Sequence, residues 1–146
     1  GRWFMTAWML LFKNDHTSDT YFIVNNVYNH GGPYQWTIEM QFDVATGMVL
    51  DDFRPENPVP IAYDRWAKIL LDIDLDADTV DTYYNNALLS SGQYAIRGGP
   101  VEIGNIDLFT TGATSYYDDI SIVPAPGAMG LLALGAGAFM RRRRRR

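Results

Sequence analysis

The stretch YQWTIEMQFDV, from Tyr34 to Val44, limits the folds open to this chain more than any other. In an extended chain Tyr34, Trp36, Ile38, Met40 and Phe42 share one face. Gln35, Thr37, Glu39, Gln41 and Asp43 share the other. Successive side chains of a strand point to opposite sides, so this period of two marks a half-buried antiparallel strand. The rest of the chain to residue 122 reads as further short strands. RWFMTAWMLLFK is a buried strand, NDHTSD a turn, TYFIVNNVY a strand and NHGGP a loop. MVLDDF follows the turn ATG, while the three prolines of RPENPVP exclude a central strand or a helix interior. DRWAKILLDIDLDADTVDTYYNNALLSSGQY gives strand, Asp-rich turn, strand, Asn-Asn turn and strand. VEIGNIDLFT and TSYYDDISIV are the last two strands. No helical repeat of useful length precedes residue 127.

The expected fold class is therefore all-β, a sandwich of two antiparallel sheets over residues 1–122. A hydrophobic fraction of 47% is enough to fill its core. The chain has no cysteine, which excludes disulfides and thiolate chemistry. It opens at Gly1 without an initiator Met, and is expected to be a piece of a longer protein lacking the first strands of the domain.

Composition changes at Val123. VPAP is expected to end the strand ladder, because proline has no N–H to donate. Gly127 to Met140 carries no charge, and Arg141 to Arg146 follow. As a helix those 14 residues would span about 21 Å at 1.5 Å per residue, short of a hydrocarbon core of about 30 Å. Basic residues directly after an apolar segment stay cytoplasmic, which would leave the body outside. Six of the 12 basic residues lie in this tail, so the body sets six against 17 acidic residues, a charge of −11. Such a surface repels phosphate backbones, and no nucleic-acid partner is expected.

Pro motif, short apolar helix, arginine cluster and chain end resemble, in that order, the PEP-CTERM sorting signal of exported bacterial proteins. The resemblance covers residues 123–146, with Val123, Pro124 and Pro126 as the motif and Arg141, Arg142 and Arg143 in the basic cluster; Ala125 stands where the family has Glu. It implies Sec-dependent export, recognition by an exosortase, a helix transiently in the inner membrane, and a final place at the cell surface or in the extracellular matrix. DRWAKILLDIDLDADTVDTYYNNALL and the closing YYDDISIV are similar to strands of laminin-G-like, concanavalin A-like jelly rolls, which implies that fold for residues 1–122.

Asp72, Asp74 and Asp76 alternate along one strand, roughly 6–7 Å apart on one face. Three readings are open. They form a solvated face running into a turn; they bind calcium together with Asp118 and Asp119, since hard cations take several carboxylate oxygens; or they mimic the paired carboxylates of jelly-roll glycoside hydrolases. Aspartates are a methylene shorter than the glutamates such hydrolases use. His16 and His30 are isolated in polar loops, and no Ser/His/Asp order, phosphate loop or zinc spacing is present. Tyr34 and Tyr63 stand beside prolines in loops and are candidates for stacking on a sugar ring. The expected function is non-catalytic, either polysaccharide binding or a structural coat; a carbohydrate hydrolase on the same fold is the alternative.

Overall fold

The computed structural model describes residues 1–14 and 18–125. The apolar segment Gly127 to Met140, Pro126, Arg141 to Arg146 and His16 lie outside them. The described residues form ten strands: β1 (Arg2–Leu11), β2 (Thr20–Tyr28), β3 (Tyr34–Asp43), β4 (Met48–Asp51), β5 (Val59–Pro60), β6 (Trp66–Asp74), β7 (Thr79–Tyr84), β8 (Ala87–Gln93), β9 (Asn105–Thr110) and β10 (Ser115–Pro124). They form two antiparallel sheets, ordered β10-β1-β6-β7-β8 and β5-β4-β3-β2-β9.

The core lies between the sheets. Met5, Ala7, Met9 and Leu11 enter from β1, and Ala67, Ile69, Leu71 and Ile73 from β6, at every second position. Phe22, Val24, Ile38, Met40 and Phe42 meet them from β2 and β3. Burying each aliphatic or aromatic side chain contributes about 1.5–3 kcal/mol. The β7–β8 hairpin turns on Asn85 and Asn86, both at positive φ (49° and 68°), as a two-residue primed turn requires.

Two expectations need correction. Tyr34 and Trp36 do not share the buried face of Ile38, Met40 and Phe42. Val24 pairs Ile38 while Asn25 pairs Trp36, so Thr37 is an extra residue on β3; Asn26 is then an extra one on β2. The double bulge turns Thr37 inward and leaves Trp36 38% and Tyr34 53% exposed. The second correction concerns VPAP. Trp3 pairs Pro124, and the Ala125 N–H donates to the Arg2 carbonyl at 2.8 Å. The ladder therefore runs past Val123. β10 is the outermost strand of its sheet, where the missing N–H of proline leaves no inner partner unsatisfied.

The two flanks of the sandwich differ. On one, β8 meets β4: Ser90 Oγ donates to Asp51 Oδ2 at 2.7 Å. On the other, the edges β9 and β10 carry inward-facing residues that the other described residues leave partly uncovered. Leu108 pairs the buried Phe22 yet is 43% exposed, and Ile122 pairs the buried Met5 yet is 42% exposed.

Candidate functional site

The double bulge builds a cleft of about 350 Å³ lined by Tyr34, Gln35, Trp36 and Arg97. The loop before β3 sets one wall. Gly31 and Gly32 take φ of 86° and 96°, open to glycine at little cost. The Gly31 N–H donates to the Tyr34 hydroxyl at 3.1 Å. Tyr34 lies against Tyr28, with ring centroids 5.4 Å apart.

Arg97 forms the facing wall, and the residues after it are tied to β2 and β3. Gln35 Nε2 donates to the carbonyls of Arg97 (2.8 Å) and Gly98 (2.9 Å). Asn26 Nδ2 donates to the carbonyls of Gly98 (3.1 Å) and Pro100 (3.0 Å). The Arg97 guanidinium rests 4.2 Å from the centroid of the Phe53 ring, a cation–π geometry that orients it. Among the described residues, Arg97 is in no ion pair.

Below the cleft, the outer face of the β5-β4-β3-β2-β9 sheet is acidic. Asp107, Ile23 and Glu39 stand side by side across β9, β2 and β3, and the Asp52 N–H donates to the Glu39 carbonyl at 2.9 Å. Burial pushes the Glu39 carboxyl above its ordinary value, Asp52 adds to that, and Arg97 pulls it back. Burial also raises Asp52, with Asp51 and Asp19 adding to the effect.

The expected ligand residues separate. Tyr34 lines the cleft. Tyr63 is half-buried, packs against the core, and forms a bridge with Leu11. Burial raises its phenol, with Asp43 and Asp19 contributing. Tyr63 thus sits at the end of β1 and does not line the cleft with Tyr34.

The aspartates also part company. Asp72 accepts two hydrogen bonds from Arg2, at 2.7 Å from Nε and 2.5 Å from Nη2. Asp74 Oδ1 accepts the N–H groups of Asp76 and Ala77, each at 3.0 Å, and so shapes the turn. Asp76 is exposed. Asp118 faces Trp8 across β1 and accepts the Asp119 N–H at 2.8 Å, while Asp72 faces Phe4, four residues along. The two groups are thus about 13 Å apart along the sheet. Among the described residues, no three His, Cys, Asp or Glu side chains converge as metal ligands. Val123 and Pro124 lie on β10.

Gln35 and Arg97 carry no functional mark in the sequence, and Trp36 reads there as a ring on the half-buried face, more suited to core packing than to stacking on a sugar. The one signal lies next to them: a Gly-Gly-Pro run stands beside each wall, at residues 31–33 and 98–100. A second, smaller hollow of about 240 Å³ lies on the other sheet between Lys68, Leu70, Tyr83 and Asn86. Comparison with known proteins returned no matching family model and no matching curated protein.

Proposed function

We propose that this chain is an exported, non-catalytic sandwich of the cell surface or extracellular matrix that binds glycan through the Tyr34–Trp36 cleft. The observation that carries the reading is the cleft itself. Two exposed rings stand beside an oriented guanidinium and an amide, the combination of apolar walls and few polar groups that suits a small ligand. Exposed aromatic rings in a surface cleft otherwise cost solubility, and stacking on a sugar face gives them a use.

The finer fold assignment is a concanavalin A-like, laminin-G-like jelly roll. It is supported by two five-stranded antiparallel sheets and by a chain that passes from β1 to the second sheet, returns at β6, and crosses again at β9 and β10. Export rests on the residues of the tail alone: Val123, Pro124 and Pro126, the uncharged stretch and the arginines, read as a PEP-CTERM-type signal delivered by Sec and recognised by an exosortase.

A glycan array probed with residues 1–146, with and without calcium, tests the binding reading. Binding lost in Trp36→Ala supports it. Silence in both conditions overturns it in favour of a structural coat, and release of reducing ends from a bound glycan replaces it with the hydrolase.

A further inference from the structure

The cleft and the sheet face beside it present three demands to a ligand at once. Trp36 and Tyr34 offer exposed ring surface, which wants an apolar face. Arg97 offers N–H donors and has no carboxylate partner among the described residues. Glu39 offers an acceptor on β3 three residues from Trp36, and its carbonyl takes the N–H of Asp52, next to the Phe53 ring on which Arg97 rests. A simple anion would satisfy Arg97 and be repelled by Glu39; a simple cation would do the reverse.

The surroundings sharpen the choice. Glu39 stands on that face with Asp107 two strands away across Ile23, and burial first, then Asp52 for Glu39 and Asp51 for Asp52, already disfavours ionisation of both. A polyuronate or sulfated chain laid there would bring many more negative charges against a body at −11, with Arg97 as the cation lining the cleft. Hydroxyl groups answer both Arg97 and Glu39, because each is a donor and an acceptor. A pyranose with equatorial hydroxyls also presents its axial C–H bonds as a flat apolar face. An axial hydroxyl would interrupt that face.

Resting on the glycan reading, we infer that the cleft selects an uncharged pyranose chain with equatorial hydroxyls, stacked on Trp36 and Tyr34 and hydrogen-bonded in adjacent pairs to Arg97 and Glu39.

The test is titration calorimetry of residues 1–146 with three soluble probes: cellohexaose, mannohexaose with its axial 2-hydroxyl, and hexagalacturonate. Cellohexaose should bind about tenfold more tightly than either of the others, the difference that one mismatched polar contact makes. Trp36→Ala should abolish binding. Arg97→Lys keeps the charge and loses the fork, so it should weaken cellohexaose about tenfold, with an unchanged circular dichroism spectrum. Hexagalacturonate binding most tightly would overturn the sugar class and leave the glycan reading standing. Equal affinity for all three, or indifference to Arg97→Lys, would overturn the roles given to Arg97 and Glu39. Binding of none of the three sinks the class outright, and a silent glycan array alongside it sinks the glycan reading as well.

Discussion

Arg54 lies buried against the equally buried Asp51, with Nη1 3.4 Å from Oδ2. Its Nη2 also donates to the Thr37 carbonyl at 2.9 Å, at the bulge that shapes the cleft. Asp51 in turn accepts from Ser90 of the opposite sheet. One buried charge pair therefore joins both sheets to the site. Burial lowers the Arg54 pKa from its usual value, and Asp51 opposes that. Removing one partner strands the other charge, so Arg54→Ala should cost about 3–5 kcal/mol in urea unfolding. Arg54→Met combined with Asp51→Leu should recover most of that loss, because no buried charge remains. A double variant as unstable as Arg54→Ala would show that the pair matters for shape rather than charge.

Gly99 should be intolerant of a side chain. Its φ is 82°, and an added Cβ would run into the Gln35 amide that holds the wall of the cleft. The left-handed backbone alone costs an alanine about 1–2 kcal/mol. Gly99→Ala should lower the melting temperature and weaken ligand binding together. Gly47→Ala has similar φ but open space around it, so it should lower stability and leave binding unchanged.

Stability should fall at alkaline pH. Burial pushes the Tyr117 phenol up to about 12, while the hydroxyls of Thr20 and Ser115 pull it down. In the unfolded chain a tyrosine titrates near 10. A folded value above the unfolded one gives a contribution that is complete below about pH 10 and lost as pH rises toward about 12. Tyr84 and Tyr94 are raised by burial as well. Denaturant titrations between pH 9 and 12 should show the slope, and Tyr117→Phe should flatten it by up to one proton's worth. An unaltered slope would mean that Tyr117 is solvated in the native state.

The uncovered flank should bind apolar dyes. Leu108 and Ile122 point inward but are not closed over by the other described residues. Leu108→Ser with Ile122→Ser should reduce anilinonaphthalene sulfonate fluorescence and cost less than about 2 kcal/mol, because each side chain is only partly withdrawn from water. Ile69→Ala, in the closed core, should cost about 2–5 kcal/mol. Equal costs would show that the flank is covered in solution.

Much of the fold was legible because strand alternation and turn chemistry are local. β2 matches TYFIVNNVY, and β6 to β8 follow the expected strand, Asp-rich turn, strand, Asn-Asn turn and strand. Those turns depend on residues next to one another: Asp74 folds its own turn, and Asn85 and Asn86 accept positive φ. The cleft was not legible. In isolation the alternation from Tyr34 to Phe42 is unbroken, and only pairing with β2 shows that Thr37 and Asn26 each take an extra place. The polar pair Asn25-Asn26 inside an apolar strand was the local trace of that event.

The sequence by itself determined the strands, their turns and the charge asymmetry between an acidic body and an arginine tail, since each follows from neighbours along the chain. Tertiary structure alone decided which carboxylates meet a partner, which flank stays open and where Trp36 points. Arg2 reaches Asp72 across 70 residues, Gln35 reaches Arg97 across 62, and Ser90 reaches Asp51, the partner of buried Arg54, across 39. Such encounters depend on sheet order and register, and a one-residue bulge is enough to move a tryptophan from the expected core to a ligand-sized cleft.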